Sequence, residues 1–346
     1  MNYNQINNDK RYRDHVDRLI INLQDWLKSK GSENWEIAKV CLISGGRSNL
    51  TYRVHRQHGS ALILRAAPAS VKFSRVSREY GILEALSGVD VPTPRVLGVC
   101  DDLGVLGHYF FVMEEMTGVA PGEITWNPEQ GQVKSFWISV GEALASIHET
   151  DVRAIGLTKL ERPQPFAERQ ISTWQRNLKS VDDRRGHRIA RIGESLRNGI
   201  GDSALPSGLL HGDFKAENLL VDVTSYSVSA VLDWELASYG DPMADLAWLQ
   251  IWSPRISEDR VWVETPFSQS IDVDSSALFL ESYEKYRSVD SSSLEFHRVF
   301  SYWKLSAINL LTANRVRRGE MLGKVVDLDR LDQQIEWQIG EVENWI

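Results

Sequence analysis

The chain has 346 residues, 42% of them hydrophobic, and carries 39 Lys and Arg against 47 Asp and Glu, a formal net charge of -8. This is the composition of a soluble globular chain long enough for two domains, and its spread negative charge argues against nucleic acid as the main partner. No apolar run reaches the roughly 20 residues that span a bilayer, the first residues are polar with no apolar signal core, and Cys41 and Cys100 are the only cysteines; a reducing cytoplasm, no membrane and no disulfide framework are therefore expected.

The first predicted element is an amphipathic helix over residues 9–30, with Val16, Leu19, Ile20, Leu23 and Leu27 on one face. The period then switches to that of strands. Residues 35–42 read as one strand, and residues 43–54 as a glycine-bearing turn between two strands. A turn built on Gly45, Gly46, Ser48 and Asn49 lets backbone N–H groups approach phosphates without Cβ obstruction, although most such turns are ordinary hairpins. Residues 61–65 form a third strand that ends in the cation Arg65. The helix predicted over residues 77–86 supplies Glu79. In kinases a cation on the third strand contacts the nucleotide phosphates and pairs with a Glu on the next helix, so Arg65 and Glu79 are candidates for that pair. Lys is the usual residue, and Arg is not interchangeable with it. The plainer alternatives are a strand-end charge for Arg65 and a first-turn helix carboxylate for Glu79.

Residues 109–113 form an apolar strand, closed by Glu114-Glu115-Met116-Thr117-Gly118. Residues 134–149 follow as an amphipathic helix burying Phe136, Val140, Leu144 and Ile147, with His148 expected in the core or at a cap. The next stretch carries the chemistry. The run His211-Gly212-Asp213-Phe214-Lys215-Ala216-Glu217-Asn218 and the run Asp233-Trp234-Glu235 sit between apolar segments that look like buried strands. Phosphoryl transfer from Mg-ATP needs this set: one Asp to orient the acceptor hydroxyl, here Asp213, with Asn218 and Asp233 to hold Mg²⁺ over the phosphates. Lys215 can neutralise charge building on the transferred group, or have no part in transfer. Glu235 either holds a metal-bound water or braces the loop. Asp241 is a helix-cap candidate before Pro242, and Asp245 is placed to brace the catalytic loop. Beyond Trp248 the pattern is helical, most clearly over residues 279–286 and 300–318. The second of these includes Tyr302, Trp303 and Lys304 and ends in Arg315, Arg317 and Arg318.

The pattern HGDxxxxN followed by an apolar residue and DxE resembles the aminoglycoside phosphotransferase and choline kinase superfamily. Over roughly residues 38–250 the runs GGxSNLTY, LILRAAP, REYGILEAL and FFVMEEMTG are most similar to one branch. That branch contains bacterial "phosphotransferase family" proteins and the kinase-like domain fused to some acyl-CoA dehydrogenases. Members commonly carry Arg where typical kinases have Lys. The resemblance implies an α+β, bilobal protein-kinase-like fold: an antiparallel nucleotide-binding lobe over residues 1–113, a hinge over 114–118, and a mostly helical catalytic and acceptor-binding lobe over 119–346. It implies ATP with Mg²⁺, adenine bound by the Glu114 C=O and the Met116 N–H, and a structural His211 whose ring bonds nearby backbone. The expected function is phosphorylation of a small-molecule hydroxyl. A basic, aromatic C-terminal helix suits a neutral or anionic acceptor, such as a hydroxy acid or hydroxyacyl-CoA, better than a polycationic aminoglycoside. An antibiotic kinase and a nucleotide-binding pseudokinase are the alternatives.

Overall fold

The computed structural model describes residues 10–31, 35–45, 50–68, 70–181, 183–201, 205–253, 267, 273–320 and 326–346. The chain divides into two compact units, Met1–Gly118 with Ser229–Glu235, and Val119–Val228 with Leu236–Ile346.

The first unit is built on a five-stranded antiparallel sheet in the order β1-β2-β3-β5-β4. Its strands are β1 (Ile37–Gly45), β2 (Leu50–Arg56), β3 (Leu62–Ala66), β4 (Val96–Cys100) and β5 (Phe110–Glu114). Strand alternation decides what each face does. On β3 the even positions Leu62, Leu64 and Ala66 are buried together with Leu19, Leu23 and Leu27 of helix α1 (Lys10–Ser29). Ile20 of the expected stripe packs at the edge of this cluster, and the side chain of Val16 lies outside the described residues. The odd positions of β3, Ile63 and Arg65, therefore point to the opposite face. There Arg65 sits opposite Phe111 of β5. Tyr80 of helix α2 (Phe73–Leu86) contacts the Phe111 ring edge-on. Helix α2 buries Val76, Glu79, Ile82, Leu83 and Leu86, a three-and-four spacing in which one position is a carboxylate. A short turn, α3 (Leu103–Leu106), precedes β5.

The segment Ser229–Glu235 is held to this unit by three hydrogen bonds. Val231 N–H donates to Pro92 O at 2.7 Å, Ser229 Oγ to Thr117 O at 2.7 Å, and Arg78 Nη1 to Glu235 O at 2.7 Å.

The second unit is mostly helical, with α4 (Gln130–Glu149), α5 (Phe166–Leu178), α6 (Arg184–Asn198), α7 (Met243–Trp252), α8 (Ser275–Glu284), α9 (Ser291–Arg317) and α10 (Leu328–Glu343). Helix α7 is buried from Met243 through Ile251, which makes it the centre of the unit. Helix α9 packs against α5, α6, α7 and α10. Its Phe300, Trp303, Leu310 and Ala313 join Ile189 and Ile192 of α6 in one core. Helices α4 and α8 touch through Gly141, where a Cβ would lie 2.2 Å from Phe279 O. Only glycine permits that approach. The strands β6 (Gly208–Leu210) and β9 (Ser238–Gly240) pair antiparallel and lead into and out of the segment that carries the polar motif. The other short strands are β7 (Leu219–Val221) and β8 (Val228–Val231).

Candidate active site

In the first unit three charged side chains meet. Arg65 Nη2 lies 2.8 Å from Asp233 Oδ1 and 3.3 Å from Glu79 Oε1. The pairing of Arg65 with Glu79 is the one expected from the sequence; the contact with Asp233 is not. Glu79 is buried and Arg65 largely so, while the Asp233 side chain is 34% exposed. Burial works against the Arg65 charge, but Glu79 and Asp233 beside it outweigh that and hold its pKa above the ordinary value. Glu79 is pushed up to about 7, first by burial, with the Arg65 charge opposing. Its Oε1 has no hydrogen bond in good geometry and meets Arg65 as an ion pair alone. Asp233 stands at φ 64, a left-handed backbone that a non-glycine residue rarely adopts. Its neighbour Trp234 is fully buried, with Nε1 donating to Val231 O at 3.0 Å. The turn is thus anchored on one side and presents the carboxylate on the other.

In the second unit the loop after β6 is fixed by buried groups. Asp245 of α7 accepts from His211 N–H at 2.6 Å and from Gly212 N–H at 2.9 Å. His148 Nε2 lies 3.4 Å from Asp245, and His148 Nδ1 lies 2.8 Å from the Tyr283 hydroxyl. Burial alone would raise Asp245, yet the His148 bond and the Gly212 N–H hold its carboxylate below the ordinary range. Gly212 is at φ 85 with Leu236 O only 2.5 Å from where a Cβ would be, so the turn requires glycine. The His211 ring is buried and its Nδ1 accepts from Asp213 N–H at 3.2 Å. Asp245 thus braces the loop, and His211 bonds backbone, in the positions the sequence suggested.

The loop presents Asp213. Trp248 Nε1 donates to Asp213 Oδ1 at 2.8 Å, and Lys215 Nζ lies 3.3 Å from Oδ2. Asn218 Nδ2 donates to Asp213 O at 2.8 Å and to Oδ2 at 3.1 Å. Lys215 also sits 4.7 Å over the Trp252 ring, and Lys304 of α9 sits 4.2 Å over Trp248. The neighbourhood of Asp213 is therefore cationic and aromatic. Trp248 and Lys304 were not singled out from the sequence as site residues. Their only signals were an aromatic residue on an apolar helix and one lysine in an aromatic run.

The remaining candidates lie in the first unit. Gly45 closes β1 opposite Leu50, and Gly46, Ser48 and Asn49 lie outside the described residues. Glu114 ends β5 with its N–H on Arg95 O at 2.9 Å and its carboxylate on the Arg95 guanidinium. Among the described residues the Met116 N–H makes no hydrogen bond, which leaves a donor for a ligand edge.

The oxygens fit a hard cation. Asn218 spends its amide nitrogen on Asp213, and its Oδ1 makes no hydrogen bond among the described residues. Asp233 meets Arg65 through Oδ1, and its Oδ2 likewise makes no hydrogen bond among them. No cluster of three or more His, Cys, Asp and Glu among the described residues forms a ready cage for a metal.

Residues 39–267 match the phosphotransferase enzyme family, and the chain belongs to that family. Acyl-CoA dehydrogenase family member 11 of Gallus gallus is 29% identical over 77% of this chain and 35% of its own length. The probable acyl-CoA dehydrogenase IBR3 of Arabidopsis thaliana is 34% identical over 61% of this chain and 27% of its own. The chain thus spans about a third of the length of these relatives. Among solved structures, a protein of Ralstonia eutropha provisionally assigned as an aminoglycoside phosphotransferase superposes with a TM-score of 0.72 at 23% identity, covering 94% of this chain and 98% of that one. Aminoglycoside phosphotransferase APH(4)-Ia, in a ternary complex with AMP-PNP and hygromycin B, superposes at 0.62 with 15% identity, covering 93% and 96%. The fold is therefore the kinase-like fold of these enzymes, an antiparallel sheet unit and a mostly helical unit. Among the described residues no helix is long and apolar enough to cross a membrane.

Proposed function

We propose that the protein transfers the γ-phosphoryl group of Mg-ATP to a hydroxyl of a small molecule, with hydroxy acids or hydroxyacyl-CoAs as the acceptor class. The observation that carries this reading is the held carboxylate of Asp213, on the loop clamped by Asp245. Asp213 accepts the hydroxyl proton and directs the oxygen toward the phosphorus. Lys215 lies against the same carboxylate and offsets negative charge that grows on the transferred group. Arg65 binds the nucleotide phosphates, with Glu79 fixing its guanidinium. The Met116 N–H and the Glu114 C=O take the adenine edge. Asn218 and Asp233 are the protein ligands for Mg²⁺, which when bound neutralises phosphate charge.

The acceptor class follows from charge. Lys215 and Trp248 touch the Asp213 carboxylate, Lys215 lies over the Trp252 ring, and Lys304 lies over the Trp248 ring. Trp252 Nε1 is a buried donor with no hydrogen-bond partner among the described residues. Cations and unpaired donors favour an anionic acceptor and disfavour a polycation. The relatives named as acyl-CoA dehydrogenases point the same way, toward an acyl substrate. The solved neighbour bound to hygromycin B supports the antibiotic-kinase alternative through fold alone. An acceptor screen with Mg-ATP, read by mass spectrometry, decides between them. It should contain hydroxyacyl-CoAs, hydroxy acids, amino alcohols and aminoglycosides. Phosphorylation of hydroxy acids or their CoA esters is expected. Transfer confined to aminoglycosides would overturn the acceptor class, and nucleotide binding with no transfer at all would favour a pseudokinase.

A further inference from the structure

Lys304 is a buried cation that the transfer chemistry above does not use. It lies within α9 and is 6% exposed. Its Nζ donates to Gly212 O at 3.4 Å and lies 4.2 Å over the Trp248 ring. Among the described residues it forms no ion pair. An ammonium buried without a carboxylate is costly, and a carbonyl and an indole face compensate only in part. Burial accordingly lowers its pKa, with Asp213 and Asp245 opposing.

Lys304 reaches Asp213 by two routes. One is the carbonyl of the residue just before it. The other is Trp248, whose ring carries the cation and whose Nε1 holds Asp213 Oδ1 at 2.8 Å. A cation over an indole draws electron density from the ring and strengthens its N–H as a donor. The Gly212 peptides are thus gripped from both sides. Asp245 takes the His211 and Gly212 N–H groups, and Lys304 takes the Gly212 C=O.

We infer that Lys304 and Trp248 are a positioning pair for Asp213: the buried ammonium and the indole together fix the direction in which the carboxylate meets the acceptor hydroxyl. This rests on the reading that Asp213 orients the acceptor. It also accounts for a lysine at a site where an apolar side chain would cost the fold less.

The test compares Lys304→Met, Trp248→Phe, their combination, and Asp213→Asn. Methionine keeps the unbranched stem and drops the charge; phenylalanine keeps a ring beneath the ammonium and drops the donor. Two readouts are used: phosphate release from Mg-ATP in single turnover, with water as acceptor, and the indole N–H resonance of Trp248 in ¹⁵N-Trp-labelled protein. Each single variant should slow turnover roughly 10- to 100-fold while nucleotide affinity stays within about twofold. The melting temperature of Lys304→Met should not fall. The double variant should be about as slow as the slower single, because both act through one carboxylate. The Trp248 indole resonance should move in Lys304→Met, a readout that needs no turnover. A Lys304→Met protein with normal turnover or an unmoved Trp248 resonance, beside an inactive Asp213→Asn, would overturn the positioning pair alone. Should Lys304→Met fold poorly, Trp248→Phe decides: normal turnover overturns the pair. Full turnover by Asp213→Asn would instead remove the reading beneath it.

Discussion

Arg65 meets two carboxylates with one guanidinium nitrogen, Glu79 at 3.3 Å and Asp233 at 2.8 Å. Its role in the nucleotide site is tested by a double-mutant cycle on turnover and on the KM for ATP. Arg65→Ala should raise KM and lower turnover, and Arg65→Lys should recover part of the loss, since an ammonium cannot reproduce the guanidinium fork. Glu79→Ala should cost less, and the two changes should couple by about 0.5–3 kcal/mol. Strict additivity would separate the residues. Glu79 also carries a pH signature. Burial pushes it up to about 7, so the folded chain holds its proton more tightly than the unfolded chain does. Stability from this group is full below the unfolded carboxylate pKa and is lost as pH rises toward the folded value. Glu79→Gln removes that titration. Between about pH 5 and about pH 7 its unfolding free energy should fall less than the wild type's, by roughly 1–3 kcal/mol. Parallel curves from urea melts would show that Glu79 is ionised throughout. The pairing of Arg65 with Glu79 was legible in the sequence because kinases pair a third-strand cation with a Glu on the next helix, and both elements could be placed. The contact of Arg65 with Asp233 was not, because 168 residues separate them and no periodicity records such a distance.

Among the elements, the boundaries legible in sequence were those with a cap or a change of period. The C-terminal end of α4 falls where the pattern places it, and strand β5 lies one residue later than expected. Helix α2 begins at Phe73, four residues before the expected start. Lys72 at its cap makes no side-chain cap bond and the first turn has no acidic residue, so the usual start signals are missing. Helices α5 and α6 went unread although Asp183 caps α6 by accepting from Arg185 N–H. Their buried large apolar residues are few, with Phe166, Ile171 and Leu178 on α5 and Ile189, Ile192 and Leu196 on α6. Long-range contact is what makes α4 unusual. Gly141 lets α8 approach until Phe279 O would touch any Cβ there at 2.2 Å and Ser282 Oγ at 2.1 Å. Gly141→Ala should therefore destabilise the second unit by about 1–3 kcal/mol, in spite of alanine's better helix propensity. Thermal melting checks this. An unchanged or raised melting temperature would mean that α8 is free to shift.

At the scale of the whole molecule the candidate residues fall in both units: Arg65, Glu79 and Asp233 belong to the first, and Asp213, Lys215 and Asn218 to the second. The motif residues were legible because HGDxxxxN keeps its members within eight positions. The network that holds them was legible only at Asp245 and His211. His148, Trp248 and Lys304 join the loop through contacts as distant as the 97 residues between His148 and Asp245. That Ser229–Glu235 belongs with the first unit is likewise a long-range fact, set by Pro92, Thr117 and Arg78. The central claim is that Asp213 acts on the acceptor hydroxyl and not on the nucleotide. The most direct measurement is rapid-quench phosphoryl transfer from Mg-ATP by wild type and Asp213→Ala, with nucleotide affinity measured on the same samples. The account predicts that transfer falls by about 10²–10⁴-fold while nucleotide affinity changes by less than about threefold. Near-normal transfer by a folded Asp213→Ala protein, or a loss of nucleotide affinity matching the loss of rate, would contradict it.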